Sequence, residues 1–145
     1  MIQISEASAI ALHSVVYISV KEFVSLKDIA DRFDVSSNHL SKVLQTLVKA
    51  GYLTSSKGPA GGFRIAEGKE NTSFLEIYET IEGKNWERSC LFHSKCDKYC
   101  SSCIMGDLVN DINRKFKNYM ESHTIKDRYL LNKDFKINKK INYKK

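Results

Sequence analysis

The sequence predicts a mainly α fold: a winged helix-turn-helix with a small β-hairpin wing and a long C-terminal dimerisation helix. Three observations carry this expectation. Apolar residues recur at intervals of three and four along successive stretches, the spacing that lines one face of a helix. Two short stretches of this kind are separated only by Asp34, Val35 and Ser36, as in a helix-turn-helix. Two strand-like runs then flank a connection containing Gly58, Gly61 and Gly62, which reads as a hairpin with a loop longer than the tightest type.

Each element has a local reason. Ile4, Ala7, Ile10, Ala11, Val15 and Ile18 make residues 4–20 a mostly apolar helix. Ser25 is a good N-cap, with Asp28 near the positive end of the helix that follows. Its inner stripe is Leu26, Ile29, Ala30 and Phe33. Ser36 can cap a third helix with a buried face of Leu40, Val43, Leu44, Leu47 and Val48. Gly51 suits its left-handed terminus. Strands are expected over 52–56 and 63–66. Ser73 and Glu76 have the spacing of a capping box, opening a helix that Gly83 ends. From about Ile104 to Ser122 a longer helix carries Met105, Leu108, Val109, Ile112, Phe116, Tyr119 and Met120 in one stripe. So long a seam exceeds what a lone winged helix needs and predicts a homodimer. The chain thus divides into 1–83 (winged helix), 84–103 (a cysteine-rich sensor loop), 104–130 (dimerisation helix and following segment) and 131–145 (a basic, disordered tail).

At 145 residues the chain is long enough for one domain with a real core. No run of 18 or more apolar residues suggests a membrane span, and no signal-peptide pattern opens it. A cytoplasmic protein is expected, in which thiols stay reduced and clustered cysteines favour metal or redox roles. The net charge of +6 needs dissection, because residues 133–145 hold six lysines and one aspartate. Without them 17 basic residues face 16 acidic ones, so any nucleic-acid argument rests on where particular residues sit.

On the third helix, Ser37, Asn38, His39, Ser41, Lys42, Gln45 and Lys49 are left facing outward. Asn and Gln can make two-point contacts with adenine, while Ser and Lys hold phosphate or guanine. The N-terminal end of a recognition helix usually meets the bases, favouring Ser37, Asn38, His39 and Lys42, with Gln45 behind them. In the wing, Gly58, Gly61 and Gly62 would let the backbone approach a partner, and Lys57 and Arg64 bracket them with positive charge. No Gly-Lys-Ser/Thr opens a helix there, as a nucleotide-binding P-loop would need, and Gly61-Gly62 before Phe63 reads equally as plain hairpin geometry. Double-stranded DNA is the expected partner, and an adaptor that docks protein would need an apolar outer face on 37–49. No nucleophile–base pair marks an enzyme.

Cys90, Cys96, Cys100 and Cys103 are the only cysteines of the chain. Four thiols in one polar loop point to a shared ligand or shared redox chemistry. Thiolates suit iron–sulfur clusters or zinc equally. Flanking Arg88, Lys95 and Lys98 would also favour a metal-free thiol switch. A loop holding nothing completes the alternatives. Cys100-x-x-Cys103 lacks the strand-helix-strand setting of a thioredoxin-like enzyme. Trp86 and Phe92 are expected to cover the site or the base of the long helix.

The run SSNHLSKVLQTLVKAGYLTSSKGPAGGFRIA, then SFLEIYETIEG, then the cysteine loop, resembles the Rrf2 family of bacterial winged-helix regulators, with its IscR-like, NsrR-like and CymR-like members. The resemblance covers residues 1 to about 130. It implies a homodimer on a palindromic operator, paired through the long helix. It further implies an iron–sulfur cluster, 2Fe or 4Fe, on Cys90, Cys96 and Cys103, whose spacing fits the three-cysteine pattern of cluster-binding relatives. In those relatives the last cysteine opens the long helix, and Cys103 is expected to do so here. Two departures stand out. IscR-like members place a histidine just after the last cysteine, where this chain has Gly106 three positions on. NsrR-like members can recruit an acidic residue from the partner's first helix, for which Glu6 is slightly out of register. Cys100 is the preferred fourth ligand, with His93 another candidate. CymR-like members imply a different control, through a metabolic-enzyme partner.

Overall fold

Residues 2–84, 86–87 and 104–127 are described by the computed structural model. Cys90, Cys96, Cys100, Cys103, Arg88, Phe92, His93, Lys95, Lys98 and the basic tail lie outside the described residues. The element order is α1 (Glu6–Lys21), α2 (Leu26–Phe33), α3 (Ser37–Lys49), β1 (Leu53–Ser56), β2 (Gly62–Ile65), α4 (Phe74–Glu82) and α5 (Leu108–Ser122). This is the mostly helical winged helix the sequence predicts. Among the described residues no helix is long and apolar enough to cross a membrane.

Local chemistry sets the boundaries. Ser5 caps α1 by accepting the Ser8 amide at 3.1 Å, so Ile4 is left outside the helix and 58 % exposed. Ser25 and Ser36 accept the Asp28 and His39 amides, each at 3.1 Å. Asp34 makes the turn between α2 and α3 in left-handed conformation, φ 53, which a short polar side chain tolerates. Past α3, the Gly51 and Tyr52 amides donate to Val48 O and Leu47 O, both at 3.0 Å. With Gly51 at φ 82 this is a Schellman termination. The capping box of α4 is complete: Ser73 Oγ accepts the Glu76 amide at 3.2 Å, and Glu76 Oε2 accepts the Ser73 amide at 2.8 Å.

α1 is apolar nearly all round and runs through the middle of the main core. Ile10, Ala11, Val15 and Ile18 meet Ile29 of α2, Leu40, Leu44 and Leu47 of α3, Leu53 and Phe63 of the hairpin, and Ile77 of α4. A helix without a polar face is stable only when surrounded in this way. β1 and β2 pair antiparallel with Thr54 opposite Arg64 and Ser56 opposite Gly62.

A second cluster ties α5 to α4. Phe74, Leu75, Tyr78, Trp86 and Met120 are buried in it, with Phe116 packed against them. Tyr78, Trp86 and Phe116 meet edge-to-face, with centroids 5.0–5.9 Å apart. Beyond α5 the chain straps back onto the winged helix. The Phe74 amide donates to His123 O and the Ile125 amide to Thr72 O, and Ile125 is fully buried.

Two expectations need correction here. α5 begins at Leu108 rather than Ile104, because residues 104–107 form a turn in which Gly106 takes φ 50. The apolar stripe of 104–120 also divides. Phe116 and Met120 pack inward, whereas Ile104, Met105, Leu108, Ile112 and Tyr119 are exposed large hydrophobics.

Candidate nucleic-acid interface

The third helix sorts its residues by face. Leu40, Val43, Leu44 and Leu47 are buried, which turns Ser37, Asn38, Lys42, Gln45, Thr46 and Lys49 to solvent. Ser41 is half-buried. His39 is also half-buried, its Nδ1 lying 3.8 Å from Glu6 Oε2 at the start of α1. Thr46 is not singled out by the sequence pattern. Its hydroxyl donates to Lys42 O at 3.0 Å, a bond within the helix that leaves it little donor capacity for a partner. Among the described residues Lys42, Lys49 and Lys57 have no carboxylate within ion-pairing distance.

In the wing, Lys57, Gly58 and Arg64 are exposed. Gly58 takes φ 100 and accepts the Gly61 amide at 2.9 Å, closing the loop tip. The glycines at 61 and 62 answer first to the fold. A Cβ on Gly61 would lie 2.5 Å from Ser56 O, and one on Gly62 2.5 Å from Val24 O. Gly62 is buried, so its missing side chain makes room for the protein's own backbone. Val24 bridges Phe63, a pairing across the chain that no local pattern announces. Phe23 is likewise unmarked by any local pattern. It stands beside Gly62 with the Arg64 guanidinium 5.3 Å from its ring centroid.

The cysteine segment leaves the described frame through α4. Glu82, the last residue of α4, accepts the Ser5 amide at 3.2 Å and the Ser8 hydroxyl. Burial pushes its carboxyl upward, but the bonds from Ser5 and Ser8 outweigh burial and hold it below the usual glutamate range. Trp86 follows, its Nε1 donating to Glu79 Oε1 at 3.1 Å. Glu87 pairs with Lys117 of α5 at 3.0 Å. The four thiols and His93 lie outside the described residues. Among the described residues no group of three His, Cys, Asp or Glu side chains could hold a metal ion.

An exposed polar helix set against a buried apolar face, followed by a basic hairpin, defines a winged-helix protein of the nucleic-acid-reading class. Comparison with known proteins gives the family. The family model described as Rrf2, an iron-dependent transcriptional regulator, matches residues 4–129. The chain belongs to the Rrf2 family of transcriptional regulators. It is 36 % identical over 89 residues to BadM of Rhodopseudomonas palustris, a match covering 61 % of this chain and 55 % of that protein. It is 27 % identical over 128 residues to the HTH-type transcriptional regulator NsrR of Bacillus licheniformis, covering 86 % of this chain and 89 % of that one. The structure of CymR, the global cysteine regulator of B. subtilis, superposes with TM-score 0.72 at 22 % identity, over 90 % of this chain and 98 % of CymR. That likeness establishes the fold.

Proposed function

We propose that this chain is a homodimeric regulator that lays α3 in the major groove of a palindromic operator and governs that grip through its cysteine segment. One observation carries the DNA reading: the outward face of α3 is polar and basic along its length, with Asn38, Lys42 and Gln45 exposed. Ser37 and His39 stand beside them at the N-terminal end, where base contacts concentrate. Lys57, Gly58 and Arg64 of the wing would meet the DNA backbone, with Gly61 and Gly62 shaping the loop that presents them.

Dimerisation is supported by the exposed apolar face of α5. Leu108 and Ile112 are 49 % and 48 % exposed, and covering the remaining half of each side chain stabilises by about 0.7–1.5 kcal/mol. Paired α3 helices must stand about 34 Å apart to enter successive major grooves. A change in how two α5 helices meet would therefore reach the grip on DNA.

The chemistry of the donor set supports a metal centre, since four soft sulfur donors fall within one segment. Cys90, Cys96 and Cys103, with Cys100 as fourth, would hold an iron–sulfur cluster, which supplies reactivity toward oxygen, nitric oxide or iron status when bound. The iron dependence in the family's description favours this over zinc. The frame's own residues give the segment its leverage. Trp86 is wedged between Tyr78 and Phe116, and Glu87 is paired with Lys117, so the segment's first residues touch both α4 and α5. A second reading is a metal-free thiol switch, which Arg88, Lys95 and Lys98 near the cysteines in sequence favour, or a zinc-stabilised regulator, either of them open to control by a metabolic-enzyme partner.

Replacing Lys42 with Ala tests the groove assignment. It should weaken duplex binding and reduce the slope of log affinity against log salt by about 0.9 for each phosphate that Lys42 neutralises. Unchanged affinity and slope in a folded variant would remove Lys42 from the interface.

A further inference from the structure

The outer face of the hairpin holds a contact outside the helix-turn-helix. Side chains alternate across a strand pair, and the register puts Thr54, Ser56, Gly62 and Arg64 on one face. Phe63 and Leu53, on the other face, are buried in the core. Val24 adds a short third rung, exchanging backbone hydrogen bonds with Phe63 at 3.1 and 2.8 Å. Val24 is buried, and the alternation sends Phe23 to the outer face. There its ring lies against Gly62, where a Cβ would stand 2.8 Å from Phe23 Cζ. The Arg64 guanidinium stands over the ring, 5.3 Å from its centroid. The backbone reaches this position through Glu22, which takes φ 66 at the end of α1, a left-handed conformation that side-chain-bearing residues adopt rarely.

Two features separate this contact from ordinary packing. Phe23 keeps 39 % of its surface exposed, so burial accounts for only part of its presence. Arg64 is exposed and has no carboxylate within ion-pairing distance among the described residues, so its charge is available to a partner. We propose that Phe23 is a positioning residue for DNA contact, its ring holding the Arg64 guanidinium in the orientation that meets backbone phosphate. The inference rests on the DNA-binding reading and deepens it by naming what organises the wing. A guanidinium over an aromatic face is attracted by the ring quadrupole. A side chain already ordered loses less freedom when it binds.

The probe is a duplex that the wild-type chain selects from a random-sequence DNA library, titrated at several salt concentrations. F23L keeps bulk beside Gly62 but lacks the aromatic face. It should weaken binding about two- to fivefold per recognition unit, and F23Y should restore it. In an R64Q background F23L should have no further effect. Urea midpoints of R64Q and F23Y should match wild type. Wild-type affinity in F23L, or a loss from F23L that persists undiminished beside R64Q, overturns the positioning role. Should F23L not fold, R64K decides: it keeps the charge without the planar fork, and wild-type affinity in R64K overturns the proposal. If the wild-type chain selects no duplex, the DNA-binding reading falls and takes this inference with it. A failure confined to the variants leaves that reading standing.

Discussion

Replacing Trp86 with Ala probes the joint between the cysteine segment and the helical frame. The ring is 6 % exposed, and a buried tryptophan covers about 200 Å². At about 25 cal/mol per Å² that is about 5 kcal/mol. The Cβ that alanine retains and the partial burial of the ring in the unfolded chain bring the loss to about 3–4 kcal/mol, within the range for large-to-small core changes. For a chain of this size, with a urea m-value of about 2 kcal/mol/M, the midpoint should fall by roughly 1.5–2 M. Circular dichroism is the assay for the variant, because Trp86 is the sole tryptophan. In the wild type its fluorescence should shift to the red on unfolding. W86F keeps an aromatic edge for Tyr78 and Phe116 but loses the bond to Glu79, and should cost only about 1 kcal/mol. A fall of less than about 0.4 M in W86A would refute the packing of this ring between α4 and α5.

The remaining predictions concern charge and sulfur. Glu82 titrates below its usual range in the folded chain, so its contribution is present above the unfolded value of about 4.3 and lost as pH falls through the folded value. The stability advantage of wild type over E82Q should therefore be full at pH 7 and shrink in acid. An advantage independent of pH would assign it to packing instead. Alanine at Cys90, Cys96 or Cys103 should abolish the visible absorbance of anaerobically purified protein and leave a dimer on gel filtration. A chromophore surviving every single change would reject the proposed ligands.

Features set by short-range chemistry are readable in the chain. Ser25, Ser36, Ser73 with Glu76, and Gly51 each satisfy backbone groups within a few residues, so spacing alone locates the helix ends. The start of α5 is not readable, because Ile104 and Met105 continue the apolar period while Gly106 and its left-handed backbone interrupt the helix. The wing glycines read in the sequence either as room for a partner or as hairpin geometry, and Gly62 answers to the second because it accommodates Val24, far away in sequence. His39 with Glu6, and Ser8 with Glu82, are likewise products of tertiary packing. The outward face of α3 is legible because burying Leu40, Val43, Leu44 and Leu47 leaves its polar residues no other direction.

The most direct test joins colour to grip in a single sample. Full-length protein purified without oxygen is assayed for its visible spectrum, iron and sulfide, then titrated with its selected duplex before and after the metal is stripped. The account predicts a coloured protein carrying iron and sulfide, with affinity changed by about 5–150-fold on stripping, the range expected for coupling between two sites. Colourless, metal-poor protein whose affinity is the same before and after treatment would contradict it.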